Sequence, residues 1–318
     1  TMSLVPFAAA ALARQDGALA VFPEDVVFIR TLRPVPGLIR EAFHTAVDGR
    51  PGPVIIDMPE DIYYDEYEFD EGDFVVYDTN TSPADRFVPE PARVAQALDA
   101  LRRAERPVML CGGGVHNSGA QQQVQELAEL LGMPVATTIS GKGSIPEDHP
   151  LALNVYGRYF RYANEFIQKA DVLLVVGSQL AEMSTIRWSL IPPTAKIIHL
   201  EVRPEAISKS YPTQYPLLGD ARATLEQMIA LLKAEGVEKP AHPPVCDEIA
   251  RAAAAWRERV SEKIHDEGTP INIAHMLDVL SKYAPDNAIL VGDGGFAAHW
   301  SSCFWTVKSN QGRHYIAN

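Results

Sequence analysis

Residues 106–115 read RPVMLCGGGV, a short apolar run that passes directly into three glycines. The run over 108–111 is apolar on both faces, as a buried strand of a parallel sheet requires. Helices are predicted before it over 92–104 and after it over 120–131. The stretch therefore predicts a buried strand between two helices, with the glycines in the turn after the strand.

The same alternation continues through the middle of the chain. Further strands are predicted over 135–138, 172–176 and 196–200, and further helices over 163–170 and 221–232. Repeated strand–helix units of this length form a parallel sheet that is covered by helices on both faces. The sequence therefore predicts a doubly wound α/β domain over 91–236.

Composition and charge narrow the class of protein. At 318 residues, 47% hydrophobic and 22% charged, the chain is predicted to be globular with more than one domain. Its net charge of −13 argues against a nucleic acid or an anionic membrane as partner, because both would repel it. The three cysteines are far apart and show no metal-binding spacing, which fits a cytoplasmic protein. Residues 1–20 lack the features of a secretory signal or a membrane span and are predicted to form a helix.

Two proline-bearing stretches are predicted to separate domains. Residues 60–91 are acidic and aromatic and show no helical or strand period, whereas 237–244 contains three prolines. A helix and a strand precede the first stretch, and a helix over 272–283 and a strand over 288–291 follow the second. The predicted divisions are 1–75, a linker at 76–90, the domain at 91–236, a linker and helix at 237–270, and 271–318.

Glycines and polar residues follow each predicted strand of the middle domain. Ligands bind beyond the carboxyl ends of strands in open parallel sheets, and bare amides at a helix start attract phosphate. The first glycines fit a tight turn equally well, and Glu201 fits either a ribose contact or a solvated charge. The predicted nucleotide-binding residues are Gly112, Gly113, Gly114, Thr137, Thr138, Gly177, Ser178, Glu201, Val202, Gly219 and Asp220.

Other motifs are weaker. Residues 140–144, SGKGS, lack the spacing of a nucleotide-binding phosphate loop. Residues 147–149, EDH, are predicted to form a polar loop rather than a metal site, since adjacent side chains point in different directions. Asp293, between glycines, fits either a catalytic or ligand-binding residue or a glycine-rich turn. No nucleophile or HExxH motif occurs in the sequence, so no catalytic residue and no metal ligand is assigned.

Three stretches resemble thiamine-diphosphate-dependent enzymes of the acetolactate synthase-like group. Residues 42–61, AFHTAVDGRPGPVIIDMPED, resemble the end of the pyrimidine-binding domain of that family. The stretch 106–115, followed by MPVATT at 133–138 and PEDHP at 146–150, resembles its central domain. Residues 288–295, AILVGDGG, are similar to the first strand and turn of its diphosphate-binding domain.

The resemblance implies both a fold and a chemistry. It implies a Rossmann-like central domain with a six-stranded parallel sheet, flanked by partial α/β thiamine-binding domains. It also implies a lyase or transferase that uses thiamine diphosphate and Mg²⁺ in the full-length enzyme, acts on a 2-keto acid or related carbonyl compound, and assembles as a homodimer or homotetramer. The coenzyme performs such chemistry while the protein orients it. The residues implied to lie beside the diphosphate are Gly295, Phe296 and Ala297.

The chain also departs from the family pattern. Neither the activating glutamate nor the Mg²⁺-binding GDG…N motif is matched, so the chain is expected to be a piece of a longer enzyme and inactive alone. Residues 177–185, GSQLAEMST, lack the arginine and aspartate of flavin-containing members, which leaves FAD, ADP or no nucleotide in the central domain. The alternatives are a non-catalytic nucleotide-binding or scaffolding protein, and an enzyme that hydrolyses a C–C bond of cyclic diones.

Overall fold

The computed structural model describes residues 25–28, 35–70, 85–309 and 313–317. These residues belong to two compact units, which divide between Arg86 and Phe87. The division lies inside the linker expected at 76–90, and the other predicted domain boundaries stay predictions. The helix predicted within residues 1–20 lies outside the described residues.

The first unit contains a parallel strand pair and two helices. β1 (Asp25–Phe28) pairs in parallel with β2 (Val54–Asp57), and α1 (Val35–Val47) lies between them in the chain. A short helix, α2 (Glu60–Tyr63), follows in a stretch for which no regular structure was predicted. That prediction was wrong at this point, where Glu60 and Asp61 occupy the first helical turn and interact favourably with its amides.

A six-stranded parallel sheet lies at the centre of the second unit, which confirms the predicted fold class. The strands are β3 (Pro107–Cys111), β4 (Val135–Thr137), β5 (Ala152–Val155), β6 (Val172–Val176), β7 (Lys196–Glu201) and β8 (Tyr215–Leu218). They lie side by side in the order β5–β4–β3–β6–β7–β8. The two outer strands were not located from the sequence, because β8 contains Pro216 and β5 has an irregular register with Asn154 at a positive φ of 65°.

Helices cover both faces of this sheet. Alternate residues of β3 and β6 point to opposite faces, so that Met109 and Leu174 join one apolar cluster while Leu110 and Leu173 join another. α3, α5 and α7 pack against the first cluster, and α6 and α8 pack against the second. The helices are α3 (Pro91–Arg102), α4 (Gly114–Ser118), α5 (Gln121–Leu131), α6 (Ala163–Ile167), α7 (Ala221–Ala234) and α8 (Val245–Arg259).

The remaining elements follow α8. The single helix predicted over roughly 247–265 is interrupted at the β-branched Val260, where the backbone leaves the helical conformation. A second parallel strand pair is formed by β9 (Ile289–Asp293) and β10 (Arg313–Ala317). None of the described helices is both long and apolar enough to cross a membrane. The elements are α9 (Ser261–Ile264), α10 (Ile273–Tyr283), β9 (Ile289–Asp293), α11 (Phe296–Phe304) and β10 (Arg313–Ala317).

Candidate cofactor-binding site

The predicted nucleotide-binding residues lie along one edge of the six-stranded sheet. The strands are parallel and in register, with Cys111 opposite both Thr137 and Val176, and Glu201 opposite Leu218. The residues that follow these strands therefore meet at the carboxyl edge. The chain winds away in opposite directions from β3 and β6, and ligands of open α/β sheets bind at such a switch point.

The glycines after β3 pack against the turn after β6. A Cβ atom added to Gly112 would lie 2.2 Å from the carbonyl oxygen of Gly177, and one added to Gly114 would lie 2.7 Å from the Gly177 Cα. The Gly114 amide also donates to the Gly177 carbonyl at 3.1 Å. These glycines are therefore required by contact between two backbones. Gly113 differs, because its added Cβ would meet only Ser140, at 3.3 Å.

A short helix rather than a long one follows these glycines. α4 has five residues and ends at Gly119, whose φ of 67° is left-handed, before α5 begins at Gln121. The glycines therefore do lie at a helix start, but the helix that they open is α4, which was not located from the sequence. α4 and the turn at Gly119 separate these glycines from α5.

Glu201 is buried at the end of β7. Its side chain is held by the chain itself, since Oε1 accepts hydrogen bonds from the amides of Val202 at 3.0 Å and Arg203 at 3.4 Å. Only 6% of the residue is exposed. A solvated charge is therefore excluded, and the carboxylate stabilises the turn after β7.

Asp220 is the N-cap of α7. Its Oδ1 accepts from the Ala223 amide at 2.9 Å, and its Oδ2 accepts from the Ser118 hydroxyl at 2.8 Å. A Cβ added to the preceding Gly219 would lie 2.7 Å from the Cδ of Pro89. These contacts explain both residues by helix capping and close packing.

The hydroxyl of Thr137 is different. The residue is 1% exposed, and its Oγ1 has no hydrogen-bond partner in the described parts of the chain. The neighbouring Thr138 uses its own Oγ1 to accept from the Gly141 amide at 3.0 Å. Buried polar atoms are nearly always paired, so the Thr137 hydroxyl is an exception at this edge.

Sequence reasoning did not single out His199, which supports the turn after β6. Its Nε2 lies 2.8 Å from the carbonyl oxygen of Ser178 and must donate to it. Burial lowers the pKa of His199 more than the Ser178 carbonyl and Glu201 raise it, so the ring is neutral. A histidine within an apolar strand carries no sequence signal for such a contact.

The glycine-rich turn after β9 begins α11. Gly295 has a φ of 72°, and among the described residues no atom lies within 4 Å of the Cβ it would carry. Asp293 is exposed and its Oδ1 accepts from the Gly294 amide at 2.8 Å, which favours its interpretation as a turn residue. Phe296 is 80% exposed, and Ala297 follows it in the first helical turn.

Lys142, Glu147 and Arg161 form a buried ion cluster. The Lys142 ammonium donates to both Glu147 carboxylate oxygens at 2.5 Å, and Arg161 Nη2 lies 4.0 Å from Glu147 Oε2. The Lys142 and Glu147 side chains are 0% and 1% exposed. Glu147 is therefore not part of a solvated polar loop. Within the described ranges no group of His, Cys, Asp and Glu side chains could hold a metal ion.

The cluster is ionised at neutral pH. Burial acts to raise the pKa of Glu147, but the charges of Lys142 and Arg161 with their hydrogen bonds hold it below its ordinary value of 4.5. Burial lowers the pKa of Lys142 to about 8, with Glu147 opposing that change. The three side chains therefore carry one net positive charge in the interior of the protein.

Acid is expected to destabilise the protein through Glu147. Its pKa is lower in the folded state, so the unfolded chain binds the extra proton first and stability is lost as pH falls through and below the ordinary carboxyl value of 4.5. The free energy of unfolding should fall less steeply over this range in Lys142→Met/Glu147→Leu, which lacks both groups. Urea denaturation at several pH values measures the two slopes, and equal slopes would contradict the prediction.

A doubly wound sheet with glycine turns at its carboxyl edge is the architecture of cofactor-binding α/β domains. Residues 94–228 match the family described as thiamine pyrophosphate enzyme, central domain. The chain belongs to the thiamine pyrophosphate-dependent enzymes, in their acetolactate synthase-like group.

Individual relatives support this assignment. The chain is 31% identical over 288 residues to a probable acetolactate synthase large subunit of Methanocaldococcus jannaschii, covering 86% of this chain and 46% of the relative. It is 31% identical over 276 residues to the acetolactate synthase isozyme 3 large subunit of Escherichia coli, covering 84% and 46%. The chain thus spans less than half the length of these relatives.

Proposed function

We propose that the chain is part of a thiamine-diphosphate-dependent enzyme that decarboxylates a 2-keto acid or related carbonyl compound and ligates the carbon fragment to an acceptor. The observation that carries the proposal is similarity over more than four-fifths of the chain to acetolactate synthase large subunits. When bound, the coenzyme supplies the nucleophilic carbon, and the protein binds, orients and shields it from water.

The start of α11 fits the diphosphate of this coenzyme. Gly295 places no side chain over the helix start, and no side chain caps the first turn. The amides at this end of a nine-residue helix are oriented to bind an anion. We therefore propose that Gly295, Phe296 and Ala297 contact the diphosphate. Mg²⁺ would accompany it, held by residues other than those described.

The coenzyme proposal is tested on the complete protein that contains this chain. With thiamine diphosphate, Mg²⁺ and pyruvate, we expect CO₂ release and formation of a coupled product, and no release when the coenzyme is omitted. The 318-residue chain alone is expected to bind thiamine diphosphate too weakly for detection by calorimetry at micromolar concentration. A complete protein that binds the coenzyme but cleaves only cyclic diones would replace the substrate class, and one that binds none would contradict the proposal.

We further propose that the carboxyl edge of the six-stranded sheet binds FAD or ADP. The support is the buried Thr137 hydroxyl, which has no partner among the described residues, together with the partly exposed Gly113 and the switch point between β3 and β6. Gly112, Gly114, Glu201 and Asp220 would shape this edge rather than contact the nucleotide with their side chains, because their contacts are already made within the fold.

Replacing Thr137 by valine is expected to weaken nucleotide binding about threefold to tenfold, the effect of one lost hydrogen bond. Thr137→Ser, which keeps the hydroxyl, should bind as tightly as the original protein. Titration of ADP and FAD by calorimetry, at matched thermal stability, measures both. Equal affinity of the valine and serine variants would exclude the hydroxyl as a contact.

The assembly is proposed to be a homodimer or homotetramer in the cytoplasm. The naming of the similar Methanocaldococcus jannaschii and Escherichia coli proteins as large subunits supports an assembly of more than one subunit. Sedimentation of the complete protein at several concentrations tests the assembly.

A further inference from the structure

The buried ion cluster lies between loops of the six-stranded sheet and the last turn of α11 with the segment that follows it. Lys142 and Glu147 belong to the loop between β4 and β5, and Arg161 belongs to the loop after β5. Each of the three side chains also contacts residues 302–307. The cluster therefore joins two loops of the sheet to a segment more than 140 positions later in the sequence.

Two cations bind the C-terminal end of α11. Lys142 donates to the Ser302 carbonyl at 3.3 Å, and Arg161 Nε donates to the Cys303 carbonyl at 2.6 Å. Carbonyls in the last turn of a helix have no partner within it and carry partial negative charge. The positive charge that Glu147 alone does not neutralise is thus directed at the negative end of the helix.

The connection continues beyond the helix. Arg161 Nη2 donates to the Trp305 carbonyl at 3.0 Å. Glu147 and Val307 bond to each other twice: the Val307 amide donates to Glu147 Oε2 at 2.9 Å, and the Glu147 amide donates to the Val307 carbonyl at 2.8 Å. Trp305 and Val307 are 5% and 2% exposed. The segment is therefore fixed by directional contacts as well as by burial.

We propose that Lys142, Glu147 and Arg161 are positioning residues that hold α11 on the six-stranded sheet and so fix the glycine turn at its opposite end. A nine-residue helix is stiff and about 13 Å long, so fixing its last turn determines where Gly295 lies. The consequence for diphosphate binding rests on the proposed function. The anchoring itself does not depend on any cofactor.

Hydrogen–deuterium exchange of the complete protein that contains this chain tests the anchoring. In Lys142→Met/Glu147→Leu, in which apolar side chains replace both members of the pair, we expect amides of residues 296–307 to exchange about tenfold faster. Amides of β3 and β6 should keep their exchange rates. The control Lys233→Met removes an exposed ammonium 2.5 Å from Glu126 and should leave residues 296–307 unchanged.

Arg161→Lys is the second variant, because it keeps the positive charge while shortening the group that reaches Cys303 and Trp305. Faster exchange confined to residues 296–307 in either variant supports the proposal. Unchanged exchange there in both variants would overturn it, as would a parallel increase throughout β3 and β6, which indicates general loss of stability. Neither outcome bears on coenzyme binding by the complete protein, so the two proposals fail separately.

Discussion

Replacing Lys142 alone by methionine is expected to lower the free energy of unfolding by about 3–5 kcal/mol. The change leaves the Glu147 carboxylate buried, with Arg161 4.0 Å away and the Val307 amide as its remaining close partners. A charge removed from water without close compensation is costly, whereas the intact pair contributes little net stability. Urea denaturation monitored by circular dichroism measures the loss.

Two further variants test whether the loss of stability in Lys142→Met comes from the isolated Glu147 carboxylate. Lys142→Met/Glu147→Leu should recover part of the loss, because it removes the isolated carboxylate, although the Val307 amide and Arg161 lose Glu147 as a partner. Lys233→Met breaks a lysine–glutamate pair of the same 2.5 Å length at an exposed site and should cost below about 1 kcal/mol. If the single and double variants are equally unstable, side-chain volume rather than the isolated charge determines the stability.

Replacing Gly177 by alanine is expected to destabilise the protein by roughly 2–5 kcal/mol, combining overpacking with a left-handed backbone. The added Cβ would lie 2.6 Å from the Cα of Gly114, which belongs to backbone and cannot rotate away. The turns after β3 and β6 would have to separate. Thermal and urea denaturation measure the change.

Gly119→Ala is the matched control for Gly177→Ala. Its φ of 67° is close to the 57° of Gly177, but no atom of the described part of the chain lies within 4 Å of the added Cβ. It should therefore cost only the strain of the backbone, about 1–2 kcal/mol. Equal losses in the two variants would show that conformation alone, and not contact between the turns, requires glycine at position 177.

Much of the fold was predictable because its signals are local. The run over 108–111 and the one over 172–176 are apolar on both faces, which only a strand covered on both sides permits. The edge strands β5 and β8 escaped prediction because edge strands are short and tolerate irregular residues such as Asn154 and Pro216.

The candidate site was only partly predictable. The sequence placed glycines and polar residues after the strands, and parallel pairing brings them to one edge. It could not distinguish a glycine required by another turn, as at Gly112, from one required by a ligand. That distinction depends on the distance to Gly177, a residue 65 positions away that only folding brings near.

The amino-acid sequence by itself determined the strand–helix alternation, the parallel sheet and the resemblance to thiamine-diphosphate enzymes, because periodicity and motif order are properties of neighbouring residues. Only the tertiary structure showed that Lys142, Glu147 and Arg161 form one buried cluster and that the Thr137 hydroxyl has no partner among the described residues. Burial and pairing arise between segments distant in the chain. Their free energies depend on the distance between charges and on the exclusion of water, neither of which a linear pattern contains.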